Sequence, residues 1–134
     1  MGKKNGQNVG KVYRANTKYI DLDTKRQRNY VVVLDDGRNV TVAKLKSIKI
    51  FDAQGKNADR ALVEINATRY GLKNRTGVDF QKFSKNRMNK KSLSLSDKKV
   101  FPEGRERFTL SNRDRDKAIY HTGVKKRRKQ KRDT

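Results

Sequence analysis

The chain has no cysteine and no tryptophan, and it has one histidine and one proline among 134 residues. Without cysteine there is no disulfide framework and no thiolate metal site, and one histidine cannot build a histidine-rich site. No stretch approaches the roughly 18 consecutive apolar residues of a membrane span, and no apolar run follows Met1 as in a signal peptide. We therefore expect a cytoplasmic protein without a cofactor, apart from Mg²⁺ that accompanies a bound phosphate.

Acidic residues are also scarce: 14 Asp and Glu stand against 36 Lys and Arg, for a formal net charge of +22. A compact domain with that charge repels itself unless an anion neutralises it. Binding to an anionic membrane requires a wide apolar helix face or a lipidation signal, and neither is visible. The composition therefore predicts a nucleic acid as the partner, no membrane, and an acidic protein as the remaining alternative.

A β-hairpin is the clearest local pattern. Two β-branched runs, residues 29–34 and 39–45, flank Asp36-Gly37, and an Asp-Gly pair supplies the positive φ angles of a tight turn. The first run is apolar without interruption, as in a strand covered on both faces, whereas the second alternates as if one face were wet.

The other predicted strands are short. One of them begins at Val12, and two others cover residues 61–65 and 78–83. Residues 47–51 either extend the second strand of the hairpin or follow it. Five short strands with glycine-containing turns, and no long helical pattern before residue 85, favour a small barrel or sandwich. The predicted class is therefore mainly β.

The chain after residue 90 is polar and weakly patterned. Ser111 or Asn112 as N-cap, Asp114 in the first turn and Gly123 as C-cap predict a short helix. The last 11 residues hold seven Lys or Arg and one Asp, so the remainder still carries +16. We predict a flexible lead-in (1–9), a β-barrel domain (10–90), a polar extension with the short helix (91–123) and a disordered basic tail (124–134).

Basic side chains and aromatic rings supply the candidate contacts to nucleic acid. Phosphate binding by the tail raises affinity by counterion release without adding sequence preference. Tyr19, at the edge of a basic loop, is a candidate to stack on an unpaired base, whereas Tyr30 and Phe80 are expected in the core. His121 lies near the end of the predicted helix, where a structural role is expected rather than a catalytic one. The candidate residues are Tyr19, Lys25, Arg26, Lys44, Lys73, Arg75, Lys125, Lys126, Arg127, Arg128 and Lys129.

Several strings, in this order along residues 10–90, resemble the PemK/MazF family of toxin endoribonucleases. They are Gly10-Lys11-Val12-Tyr13, Arg28 before a valine-rich strand, Val42 to Ser47, Ala61 to Ile65, Gly71-Leu72-Lys73 and residues 78–88. The resemblance implies an SH3-like barrel, RNA rather than DNA as the ligand, a homodimer and an acidic protein antitoxin. Asn29 stands where the family has proline, and Lys46 where it has the catalytic threonine.

A metal-independent ribonuclease needs a base for the 2′-hydroxyl, a cation for the phosphorane and an acid for the leaving oxygen. The resemblance assigns the charge-stabilising and acid roles to Arg28 and a supporting role to the hydroxyl of Ser47. Lys46 suits either a phosphorane or a ground-state phosphate, so cleavage and simple binding both stay open. The alternatives are a non-enzymatic DNA- or RNA-binding accessory protein of a mobile element, plasmid or phage, and a ribosome-associated RNA-binding protein.

Overall fold

A computed structural model describes residues 6–20, 26–79 and 92–120. Within these ranges, six antiparallel strands form one sheet that curls into a half-barrel, followed by a short helix. The strands are β1 (Lys11–Asn16), β2 (Gln27–Asp35), β3 (Val40–Ser47), β4 (Leu62–Ile65), β5 (Thr76–Asp79) and β6 (Phe108–Thr109), and the helix is α1 (Asn112–Tyr120). Their order across the sheet is β4-β5-β3-β2-β1-β6. The mainly β class is confirmed.

The predicted hairpin is formed by β2 and β3, which pair from Asp35↔Val40 to Tyr30↔Lys44. Its turn is wider than an Asp-Gly two-residue loop, and only Gly37 has a positive φ angle there, of 95°. The Asp36 side chain accepts hydrogen bonds from the backbone N–H of Arg38 (2.9 Å) and Asn39 (2.8 Å). The turn is therefore stabilised by a carboxylate rather than by two left-handed residues.

Strand β2 is buried on both faces, as its uninterrupted apolar run predicts. Val31 and Val33 belong to one core cluster, whereas Tyr30 and Val32 belong to the cluster on the opposite face. The register of β2 against β3 shifts between Val32 and Leu34. Such a bulge bends a strand and increases its twist, which is consistent with the curl of the sheet.

Strand β3 differs from its prediction, because both of its faces are covered. Ala43 and Leu45 pack into the first cluster, and Val40 and Val42 into the second. Residues 48–50 then leave the sheet, and Phe51 makes only an isolated bridge to Asn57. The alternation along β3 reflects polar residues between core positions rather than a solvent-exposed face.

The stretch expected to be a polar extension supplies the cover for the second face. Val100 and Phe101 are buried there, and the Phe101 ring packs edge-on against Tyr13 with centroids 5.6 Å apart. Leu93 exchanges two backbone hydrogen bonds with Val40, at 2.7 and 2.8 Å. The sequence signal was weak because a few apolar residues in an irregular segment, without any period, cover the sheet.

The two ends of the described chain also contact the sheet. Residues 6–8, within the expected lead-in, are bound to β2, because the backbone N–H of Asn8 donates to Asp35 Oδ2 at 2.8 Å. Helix α1 begins after Ser111, whose hydroxyl accepts from the N–H of Asp114 at 3.2 Å, as an N-cap does. The predicted C-cap at Gly123 and the strand residues after Asp79 lie outside the described residues. No helix in the described ranges is long and apolar enough to cross a membrane.

Helix α1 is fastened to the sheet by a buried carboxylate. Asp114 is 3% exposed, and its Oδ2 accepts hydrogen bonds from the Tyr70 hydroxyl (2.6 Å) and the backbone N–H of Asn66 (3.0 Å). The same hydroxyl accepts from the backbone N–H of Ser111 at 2.8 Å. The Tyr70 ring stacks on Phe108 with centroids 5.0 Å apart. This network fixes the helix against the segment that follows β4.

Tyr70→Phe removes one hydroxyl from this network and leaves a buried carboxylate oxygen and the Ser111 N–H each short of a partner. We expect the free energy of unfolding to fall by about 1–3 kcal/mol. Urea denaturation followed by circular dichroism measures it. Tyr19→Phe, at a half-buried tyrosine outside the network, is the control; equal losses in the two variants would contradict the role of the Tyr70 hydroxyl.

Candidate nucleic-acid interface

A cleft forms where β3 changes its partner. Strand β3 pairs with β2 as far as Lys44 and with β5 from Leu45↔Val78 to Ser47↔Thr76. The first residues of β2, before Tyr30, pair with β1 alone. The start of β2 and the end of β3 therefore diverge, and the gap between them is open to solvent.

The cleft has a volume of about 350 Å³, and its lining is cationic. Among the described residues, four positive side chains contribute to it, each from a different segment, and no carboxylate does. Leu45 and Leu72 add apolar surface. The cations are Arg14, Arg28, Lys46 and Lys73, and the neutral polar side chains are Gln27, Asn29, Ser47, Asn74 and Thr76. Such a lining suits an anion that also carries hydrogen-bonding groups.

Four residues singled out from the sequence line this cleft together: Arg28, Lys46, Ser47 and Lys73. They come from three separate segments of the chain, which the antiparallel pairing of β2, β3 and β5 brings together. Arg14 was missed. The signal that could have found it is the pairing of β1 with β2, which sets Arg14 opposite Asn29.

A chain of side-chain hydrogen bonds orients Arg14 at the cleft. Its Nε donates to Gln27 Oε1 at 2.6 Å, and Gln27 Nε2 donates to Asn16 Oδ1 at 3.1 Å. Asn16 Nδ2 in turn donates to the carbonyl of Lys99 at 2.6 Å. A guanidinium held in this way loses less conformational entropy when it binds an anion than a free side chain does.

Lys46 shares its charge with a buried carboxylate. Its Nζ lies 3.9 Å from Asp79 Oδ2, and the Asp79 side chain is only 4% exposed, against 41% for Lys46. An ammonium beside a carboxylate attracts a phosphate less strongly than an isolated one. Lys46 therefore contributes less to the attraction of a phosphate than its charge alone suggests.

Lys44 differs most from its expected role as a phosphate contact. It is 4% exposed and lies opposite Tyr30 in the hairpin, outside the cleft. Lys44 shares a face of β3 with Val40 and Val42, which pack into the second core cluster, so it lies on a covered face of the sheet. Among the described residues, Asn29 Oδ1 is buried as well, without a hydrogen-bond partner.

Other predicted contacts lie apart from the cleft or outside the described residues. Arg26 is exposed but does not line the cleft. Tyr19 packs partly against the second core cluster, with Lys18 Nζ 5.1 Å from its ring centroid, so part of its ring is already covered. The remaining ones fall outside the described residues: Lys25, His121, Lys125, Lys126, Arg127, Arg128 and Lys129.

Arg75 is engaged within the protein. It forms a bidentate pair with Glu64, at 2.7 and 2.9 Å, and donates to the carbonyl of Gly55 at 2.6 Å. Its guanidinium lies 4.7 Å from the ring centroid of Phe51. The hydrogen bond from Arg75 holds the pKa of the Glu64 carboxyl below its ordinary value of 4.5. Its expected role as a phosphate contact would require these bonds to break.

A larger cavity of about 580 Å³ lies beside Arg75, between β4 and the start of α1. Its lining contains the carboxylates of Glu64 and Asp114 as well as cations. Lys117 Nζ lies 3.7 Å from Asp114 Oδ1, so part of the positive charge is compensated there. The smaller cleft is therefore the better anion site. In the described part of the chain, no cluster of three His, Asp or Glu side chains is arranged to hold a metal ion.

The depressed pKa of Glu64 predicts how the Glu64–Arg75 pair responds to pH. Because the folded pKa is lowered, the stabilisation is complete above pH 4.5 and is lost as the pH falls through the folded pKa. Both side chains are partly exposed, so we expect a weak coupling between them at pH 6.5. A double-mutant cycle of Glu64→Gln and Arg75→Gln, measured by urea denaturation, should show this coupling decline as the pH is lowered below 4.5; a coupling that does not change with pH would contradict the assignment.

No model of a known protein family matches this chain, and its sequence matches no curated protein significantly. The resemblance to PemK/MazF toxins therefore depends on the quoted strings alone. The chemistry of the cleft is the firmer guide to function, because it follows from the placement of side chains.

Proposed function

We propose that this protein binds single-stranded nucleic acid, RNA in the first place, through the basic cleft between the start of β2 and the end of β3. The observation that carries the proposal is that cations from four separate segments line one cleft to which no carboxylate of the described residues contributes. Holding cations close together costs electrostatic energy, which a phosphodiester would relieve. The leucines and amides of the lining would contact sugar and base.

The size of the cleft favours an unpaired strand. About 350 Å³ lies near the lower end of the roughly 300–1,000 Å³ of small-ligand sites, so it would hold about one nucleotide. A nucleotide within a duplex has its base paired and stacked and could not enter. The overall charge of +22 would attract the strand from a distance, and the basic tail would add contacts by counterion release.

A second candidate is metal-independent cleavage of the bound RNA, in an SH3-like barrel of the PemK/MazF type. What favours it is that Arg28, Lys46 and Ser47 line the same cleft, as that resemblance requires. Arg28 would stabilise the phosphorane, and Ser47 would assist through its hydroxyl. This candidate function also implies a homodimer, an acidic antitoxin as partner and a cytoplasmic location.

Binding ranks before cleavage because of the proton that must leave the 2′-hydroxyl. The described lining of the cleft contains neither a histidine nor a carboxylate, the usual groups for accepting it near neutral pH. Lys46 carries an ammonium group, which donates hydrogen bonds and has no lone pair to accept the proton. A phosphate-binding cleft needs no such group.

The binding proposal predicts a specific loss in Lys73→Gln. Lys73 is exposed, so its removal should leave the fold intact while it weakens binding to a labelled single-stranded RNA by about 3–10-fold. It should also lower the slope of log K against log salt by about 0.7, the value for one lost phosphate contact on a single strand. Fluorescence anisotropy over a salt series measures both. Lys98→Gln removes the same charge away from the cleft; equal losses in both variants would show that the cleft is not the site.

The cleavage candidate predicts discrete fragments when the protein is incubated with single-stranded RNA in EDTA and the products are run on a denaturing gel. Arg28→Gln should abolish the fragments, because the phosphorane loses its cation. Because Arg28 is half-buried, thermal melting checks that the variant still folds. Lys98→Gln is the control. An RNA that is bound but intact would remove the cleavage candidate and leave the binding proposal in place.

A further inference from the structure

Two large apolar side chains are exposed side by side in the loop between β3 and β4. Ile50 is 55% exposed and Phe51 is 43% exposed. Single exposed apolar residues are common on protein surfaces, but an adjacent pair on a projecting loop of a highly charged protein suggests a contact surface. Neither residue belongs to the basic cleft.

The loop that carries this pair is rigid. It folds back on itself as a small hairpin: the N–H of Ala58 donates to the carbonyl of Ile50, and the N–H of Asp52 to that of Lys56, each at 2.8 Å. The Asp52 carboxylate also accepts hydrogen bonds from the N–H groups of Gln54 and Lys56, both at 2.9 Å. Phe51 is therefore presented in a defined place rather than on a flexible loop.

Arg75 fixes the ring of Phe51. Its guanidinium lies 4.7 Å from the ring centroid, and its own position is held by Glu64 and by the carbonyl of Gly55. A cation in this position is attracted by the quadrupole of the ring and helps to orient it. The partly exposed ring is thus prepared to stack on a further planar group, with little entropy left to lose.

The loop that carries Phe51 begins beside the cleft, both along the chain and across the sheet. Ser47 and Thr76 line the cleft and pair with each other, and Arg75 immediately precedes Thr76. The backbone N–H of Ile48 donates to the carbonyl of Arg75 at 2.9 Å, which joins the loop to this end of β5. The loop with the Phe51–Arg75 pair therefore starts at the edge of the cleft that Ser47 and Thr76 form.

The charges around the pair favour a nucleic acid as its occupant. The carboxylates of the loop are already engaged: Asp52 and Asp59 accept backbone N–H groups, and Glu64 pairs with Arg75. Lys49, Lys56 and Arg60 are exposed. A second copy of this chain would bring another +22 to a basic surface, whereas a strand brings phosphates for the lysines and a base for the ring.

From these observations we infer that Phe51, backed by Arg75, is a stacking platform for an unpaired base of the strand that occupies the cleft. The inference rests on the proposed function and extends it. It implies that the ligand presents accessible bases as well as phosphates to the protein. Phe51 contacts the base, and Arg75 is a positioning residue.

The absence of tryptophan from the chain allows a direct test. Phe51→Trp introduces a single tryptophan at the platform, and its fluorescence should be quenched by a single-stranded oligonucleotide. An abasic ribose-phosphate strand of the same length should bind without quenching. Adding Arg75→Lys, which keeps the charge but loses the bidentate fork, should reduce the quenching because the ring is less well held.

Affinities complete the test. Phe51→Ala should weaken binding to the base-containing strand about ten-fold and leave binding to the abasic strand unchanged, since one lost stack falls in this range. Ile50→Ala, the matched exposed neighbour, should change affinity less than two-fold. An oligonucleotide that binds Phe51→Trp without quenching, equal losses on both strands, or a dimer that dissociates in Phe51→Ala would overturn the inference. If the oligonucleotide bound Phe51→Trp without quenching, the inference would fail and the cleft proposal would stand. If the unmodified protein bound neither strand, both would fail.

Discussion

The change of partner along β3 is the constraint on which the rest of the structure depends. Along one edge β3 pairs with β2 only as far as Tyr30↔Lys44, and along its other edge it pairs with β5 only from Leu45 onward. The end of β3 is therefore separated from the start of β2, which pairs with β1 alone. The basic cleft is the space that this separation leaves, and the loop that carries Phe51 starts where β3 ends.

Electrostatics divides the cations of this protein into two groups. Some are neutralised within the fold: Arg75 is bound by Glu64, and Lys46 shares its charge with Asp79. Arg14 and Lys73 line the cleft beside Lys46, and no carboxylate of the described residues lines it. The net charge of +22 therefore does not show how unevenly the positive charge is distributed over the protein. The proposed function follows from the second group, and the rigidity of the proposed stacking platform follows from the first.

Local chemistry made several elements predictable. The hairpin was identifiable because β-branched runs and an Asp-Gly turn act over a few residues. The start of α1 was identifiable because the Ser111 hydroxyl accepts a hydrogen bond from an N–H group of the first helical turn. Arg28, Ser47 and Lys73 were selected from strings that resemble a family, and it is the pairing of strands that places them in one cleft. Arg14 had no comparable signal, because its role depends on the strand opposite.

The sequence by itself determined the positive charge, the β class and the hairpin, since composition and short-range patterns are enough for these. Only the tertiary structure decided which cations are available. Lys44 is buried because Val100 and Phe101, far along the chain, help to cover its face of the sheet, and Arg75 is engaged because β4 brings Glu64 beside it. Burial and ion pairing depend on contacts between distant residues, and no pattern within a strand encodes them.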